Sequence, residues 1–88
     1  MPWEPSGPRP ALPPAPVERT LWRVQKDVRA AEARVRVFPH GDELRIVLRH
    51  PAAGESLLWS RLYPRHEAGD LEIAAAGTKA DFVRLGWA

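Results

Sequence analysis

Ala31-Glu-Ala-Arg-Val-Arg-Val-Phe38, Glu43-Leu-Arg-Ile-Val-Leu-Arg49 and Leu57-Leu-Trp-Ser-Arg-Leu-Tyr63 decide the fold. In each, apolar and polar residues alternate with a period near two, the mark of a strand with one buried face. Between the first two stands Pro39-His-Gly-Asp42, the clearest turn in the chain. Proline fixes one φ there and Gly41 is expected to accept a positive one. The two strands therefore form a hairpin. Its inner side takes Ala31, Ala33, Val35 and Val37, then Leu44, Ile46 and Leu48. Its outer side shows Glu32, Arg34, Arg36 and Phe38, then Arg45, Val47 and Arg49.

The third stretch offers two registers. Leu58, Ser60 and Leu62 form one side; Leu57, Trp59, Arg61 and Tyr63 form the other. A slip of one residue exchanges the faces completely. Burying the second set buries Arg61, and an unpaired buried charge is costly. Leu58 and Leu62 are therefore expected inside, with Trp59, Arg61 and Tyr63 outside.

Upstream, Leu21-Trp-Arg-Val-Gln-Lys26 alternates as well, with Trp22 and Val24 opposite Arg23 and Gln25. Lys26-Asp-Val-Arg29 reads as a tight turn, although Val28 is a poor turn residue. A helix from Val17 to Arg36 is the rival reading, because Ala30-Ala-Glu-Ala-Arg34 has high helix propensity. Its apolar residues scatter around such a helix, and Val35, Val37 and Phe38 favour a strand. Downstream, His50-Pro-Ala-Ala-Gly-Glu-Ser56 connects two strands and Pro64 ends the last.

From about Gly69 to Leu85 the period becomes helical: Leu71, Ala74, Ala75, Thr78, Phe82 and Leu85 fall three and four apart. Asp70 and Arg84 suit the two ends of the helix dipole. Gly86-Trp87 is a stop signal, glycine at C′ and Trp87 folding back on the last turn. Gly77 weakens the helix or marks a close approach to the sheet.

The fold class is thus α+β: a small four-stranded antiparallel meander with one C-terminal helix packed on one face. Seven of the ten prolines lie in residues 1–16. Proline lacks the amide hydrogen that helix and sheet need. Residues 1–18 are expected to be a disordered, Pro-rich tail and residues 19–88 a single ββββα domain. Pro10-Ala-Leu-Pro13 matches PxxP, with no basic residue at the flanking spacing that SH3 ligands use.

Leu21-Trp-Arg-Val-Gln-Lys-Asp27, Glu43-Leu-Arg45, Leu57-Leu-Trp-Ser-Arg-Leu-Tyr63 and a helix closing in Phe82 and Gly86-Trp87 together resemble a group of small uncharacterised bacterial proteins. The resemblance spans about residues 21–87 and leaves the proline tail out. It implies no activity. Val28 departs from the pattern, since those proteins often carry glycine after Lys-Asp.

The chain has no cysteine, which excludes disulfides, thiolate metal sites and cysteine nucleophiles. A small secreted domain usually needs disulfides, so a reducing cytoplasm is expected. No apolar run approaches the roughly 18 residues of a membrane span, and no basic-then-apolar leader opens the chain. Net charge is only +2, but residues 21–63 hold eight bases against five acids.

Function is expected on the open face of the sheet. Arg34, Arg36, Arg45, Arg49 and Arg61 would form a patch there, with Trp59 and Tyr63 among them. Aromatics and arginine are enriched where proteins meet. A protein-interaction or self-associating module, such as a homodimer, is the first reading. The second is nucleic-acid binding, with guanidinium groups on phosphates and aromatics stacked on unpaired bases. An arginine-rich face is also the ordinary surface of a soluble sheet. Catalysis is not expected. His40, His50 and His66 sit in turns or linkers, and His40-Gly-Asp42 offers two metal ligands without a third. The helix carboxylates Glu67, Asp70, Glu72 and Asp81 read as a solvated face. No cofactor, metal, membrane or small-molecule ligand is implied.

Overall fold

The computed structural model describes residues 17–88. Four strands run in sequence order: β1 (Val17–Lys26), β2 (Arg29–Phe38), β3 (Gly41–His50) and β4 (Gly54–Pro64). They form one antiparallel sheet of order β1-β2-β3-β4. A 3₁₀ turn (Arg65–Glu67) leads into α1 (Ala68–Arg84), which lies across one face. This is the expected meander with a C-terminal helix. The rival helix over residues 17–36 is instead the β1–β2 hairpin. The expected disordered tail, with its PxxP match, falls on residues 1–16 and lies outside the described residues. Val17 and Glu18, read as tail, are strand residues.

Two turns close on two residues each. At Asp27-Val28 the aspartate takes the left-handed conformation (φ 55°), which Asp tolerates and which spares the β-branched Val28. At Pro39-His40, Gly41 lies just outside the turn, pairs with Phe38 and does not take a positive φ. Its need for glycine is steric: a Cβ there would stand 2.5 Å from the Tyr63 carbonyl oxygen. The strands cross too closely at this point for any side chain.

The face under α1 carries a row Trp22–Ala33–Ile46–Trp59 across the four strands. Two tryptophans on the edge strands flank smaller residues in the middle, so the helix settles into a trough. The core there comprises Ala33, Val35, Leu44, Ile46, Tyr63, Leu71 and Ala75, with Leu21, Trp22, Trp59, Ala74 and Phe82 packed against it. A second cluster joins Val24, Ala31 and Trp87. Alanines at 31 and 33 keep the middle of this face low, Ala33 packing with Leu71 and Ala75 and Ala31 with Trp87.

The ends of α1 are fixed by specific bonds. Arg65 donates to Asp42 Oδ1 (3.0 Å) and to the Phe38 carbonyl (2.6 Å), tying the 3₁₀ turn to the β2–β3 turn. At the other end, Gly86 takes φ 93°. Its N–H donates to the Val83 carbonyl and the Trp87 N–H to the Phe82 carbonyl, each at 3.0 Å. These are the two bonds of a Schellman cap. Trp87 then meets Phe82 edge-on at 5.1 Å, and the Arg29 guanidinium lies 5.4 Å from the Trp87 ring centroid. Ala88 exchanges two backbone hydrogen bonds with Gln25 on the outer edge of β1 (2.8 and 2.9 Å).

Two residues of the helical segment depart from expectation. Leu85 is exposed rather than inward. Gly77 faces open space, so it marks no close approach to the sheet. Ile73, Ala76 and Val83 share that outer side.

Candidate functional site: the open face of the sheet

The register sets four rows across the uncovered face. Gln25–Ala30–Arg49–Glu55 lies nearest the β1–β2 and β3–β4 turns; Arg23–Glu32–Val47–Leu57 follows. Thr20–Arg34–Arg45–Ser60 is next, and Glu18–Arg36–Glu43–Leu62 is last. Successive rows stand about 7 Å apart and neighbouring strands about 4.8 Å apart, so a long side chain in one row reaches the next.

Arg34, Arg36, Arg45 and Arg49 are on this face, as the alternation of β2 and β3 requires. Trp59, Arg61 and Tyr63 are not. β4 carries the opposite register to the expected one: Ile46 pairs with Trp59, Leu44 with Arg61 and Asp42 with Tyr63, all on the helix side. Tyr63 is a core residue and Trp59 packs beside it, while Leu58 and Leu62 are exposed. The expectation failed because it assumed that the helix covers the whole face. Arg61 stands on the edge strand, where its guanidinium lies 5.0 Å from the Tyr63 ring centroid and remains in water. It is exposed, so the desolvation cost does not arise. An irregularity in pairing between Ile46 and Val47 takes up one extra residue of β4, placing Leu57 on the open face as well.

The arginines are not free cations. Glu18, Glu32, Glu43 and Glu55 stand among them. Arg34 grips Glu55 with both amino groups (2.7 and 3.0 Å) and touches Glu32 (3.2 Å). Arg36 reaches Glu18 at 3.5 Å; Arg45 reaches Glu18 and Glu43, each at 3.6 Å. Arg49 contacts Glu32 at 3.5 Å and Glu55 at 4.0 Å. Exposed pairs of this kind contribute about 0–1 kcal/mol each. Their larger effect is to lay a cover of alkyl stems over the sheet. Val47, a residue of the open face, is only 1 % exposed, and Glu32 only 6 %.

The bidentate contact shows in the ionisation of both partners. The Arg34 guanidinium, by donating to Glu55, holds that carboxyl below the ordinary carboxylate range, against the opposing effect of partial burial. Arg34 is correspondingly harder to deprotonate, chiefly through the same hydrogen bond.

Sequence reading missed Glu18 because it was assigned to the tail. It missed the exposure of Leu62, which belongs to the rejected register. The histidines also differ from expectation in one case. His50 ends β3, and its Nδ1 accepts from the N–H groups of Ala52 (3.0 Å) and Ala53 (3.3 Å). At His40-Gly-Asp42, the Asp42 carboxylate is engaged by Arg65. Among the described residues no helix is long and apolar enough to cross a membrane.

The fold and face define a two-layer α+β domain with a charge-paired outer surface. The chain matches no protein-family model, no curated protein and no solved structure.

Proposed function

We propose that this chain is a non-catalytic protein-interaction module that associates with a second copy of itself through the β4 side of the open face. One observation carries the reading: Leu57, Leu58 and Leu62 are about half exposed along one strand, whose outer edge has no backbone partner among the described residues. Exposed leucines along an unpaired edge are an association surface. The edge of β1, by contrast, is met at Gln25 by Ala88. Antiparallel pairing of β4 with its copy is related by a two-fold axis and closes as a dimer. The extra residue in β4, and Pro64 at its end, work against open-ended growth.

Nucleic-acid binding through this face has less support. The arginines are matched by glutamates, and Trp59 and Tyr63 lie on the covered side. A polyphosphate would have to displace several Glu–Arg contacts for each phosphate it gained.

Sedimentation velocity across a wide concentration range tests the proposal. A monomer–dimer equilibrium is expected, shifted to monomer by Leu62→Lys, an exposed substitution that leaves the fold intact. A monomer at every concentration overturns it.

A further inference from the structure

At the turn end of the open face, from the β1–β2 turn to the start of β4, lies a cleft of about 480 Å³. Its origin is the row Gln25–Ala30–Arg49: a small residue on β2 stands between two long ones. The Cα atoms of Gln25 and Arg49 are two strand spacings apart, roughly 10 Å, and Ala30, small and itself covered, forms the base between their side chains. The volume falls within the range of about 300–1,000 Å³ typical of small-molecule sites.

Four hydrogen-bond donors line the cleft: Arg23, Gln25, Arg49 and His50. Arg23 makes no ion pair or side-chain hydrogen bond among the described residues. Arg49 has only long contacts, and half of its side chain is exposed. His50 is held by the turn in one tautomer. Its Nδ1 accepts two backbone N–H groups, so in the neutral ring the proton sits on Nε2, a donor. One carboxylate, Glu55, also lines the cleft, but both its oxygens are taken by Arg34. Among the charged residues that line the cleft, Arg23 and Arg49 stand against the single carboxylate of Glu55. Val28 adds an apolar wall at the turn tip. A β-branched residue there is unfavourable for the turn and exposed to water, so contact with a ligand gives it a use.

We infer that this cleft binds a small phosphate monoester with an apolar substituent. Donors from β1 and β3 approach over the Ala30 floor from different sides. That suits the three terminal oxygens of a phosphate better than the two coplanar oxygens of a carboxylate. The apolar substituent rests on Val28. The cleft's β4 wall, Gly54 and Glu55, lies one row from Leu57 of the proposed interface, but its free donors stand on β1 and β3, so the inference does not rest on that interface.

The test is a titration of the full chain with phenyl phosphate, inorganic phosphate and phenol, followed by ¹H–¹⁵N correlation spectra. Phenyl phosphate is expected to give saturable shifts at Arg23, Gln25, Val28, Ala30, Arg49 and His50. Inorganic phosphate binds the same residues more weakly, and phenol gives none. Arg23→Gln weakens phenyl phosphate binding about tenfold or more, the loss of one charge-assisted contact. Ala30→Val, which keeps every charge and suits a strand, fills the floor and abolishes it. Arg36→Gln, at the far end of the same face, leaves it unchanged. The dispersion of each variant's spectrum reports its folding. Three results overturn the inference: no saturable shift, shifts spread evenly over Arg36 and Arg45, or equal binding by Arg23→Gln and the unaltered chain.

Discussion

The indole nitrogen of Trp22 donates to the carbonyl oxygen of Ala75 at 2.9 Å, joining the first strand to the middle of the helix across 53 residues of chain. The same ring meets Phe82 edge-on at 5.9 Å. One side chain therefore supplies both a directional bond and apolar area to the sheet–helix junction. Trp22→Phe removes the bond and part of the area. A loss of about 1–3 kcal/mol is expected, from a hydrogen bond worth roughly 0.5–1.5 kcal/mol and the reduced packing. Trp59→Phe, on the opposite edge strand and without such a bond among the described residues, should cost less. Urea unfolding of the two variants compares them directly.

Gly86 and Gly77 make a second pair, with opposite signs. Gly86 holds φ 93° in the Schellman cap, and the nearest atom to an added Cβ is Lys26 Nζ at 3.6 Å. Space is adequate there, so Gly86→Ala tests the backbone alone and should destabilise by about 1–2 kcal/mol. Gly77 is helical, exposed and faces open space. Gly77→Ala should stabilise by about 0.5–1 kcal/mol, since alanine has fewer unfolded conformations to lose. Thermal midpoints moving in the same direction would contradict this reading of the two positions.

At Gly41 the limit is space rather than φ. An alanine Cβ would meet the Tyr63 carbonyl oxygen and the Pro64 Cα, both backbone atoms of β4. Backbone cannot rotate aside as a side chain can. Gly41→Ala should therefore cost more than Gly86→Ala, on the order of 2–3 kcal/mol, and should loosen β4 first. Hydrogen exchange at Arg61 to Tyr63 rising ahead of that in β1 and β2 is the expected pattern.

The strands, their order and the capping helix were legible because each rests on a local pattern. Ala31–Phe38 and Glu43–Arg49 alternate cleanly, and Gly86-Trp87 forms the cap that its residue types suggest. The register of β4 was not legible. Leu57-Leu58-Trp59 gives three apolar residues in a row, so alternation has no phase at the point where the strand takes up its extra residue. The choice then fell to Arg61, whose true environment depends on where the helix ends laterally, a tertiary fact. The arginine patch was read correctly on β2 and β3 and wrongly on β4. Its neutralisation depends on cross-strand neighbours such as Arg34 and Glu55, 21 residues apart, whose proximity no local pattern reveals.

The Arg34–Glu55 contact has a pH signature. Because Arg34 holds the Glu55 carboxyl below the ordinary carboxylate range, the folded state binds that proton less readily than the unfolded chain. A group of this kind adds stability above its unfolded pKa and loses it as pH falls through the folded value. The contribution is therefore complete at neutral pH and disappears below the ordinary carboxylate range. Its size is modest, since 40 % of the Glu55 side chain is exposed and solvent screens the pair. Glu55→Gln should lower the urea midpoint at neutral pH and narrow its deficit to the unaltered chain as the solution is acidified. Arg34→Gln should behave similarly on acidification but lose more at neutral pH, because Glu32, nearly buried, then keeps only its longer contact with Arg49. A Glu55→Gln deficit that stays constant from neutral to acid pH would show that the pair contributes packing and no charge.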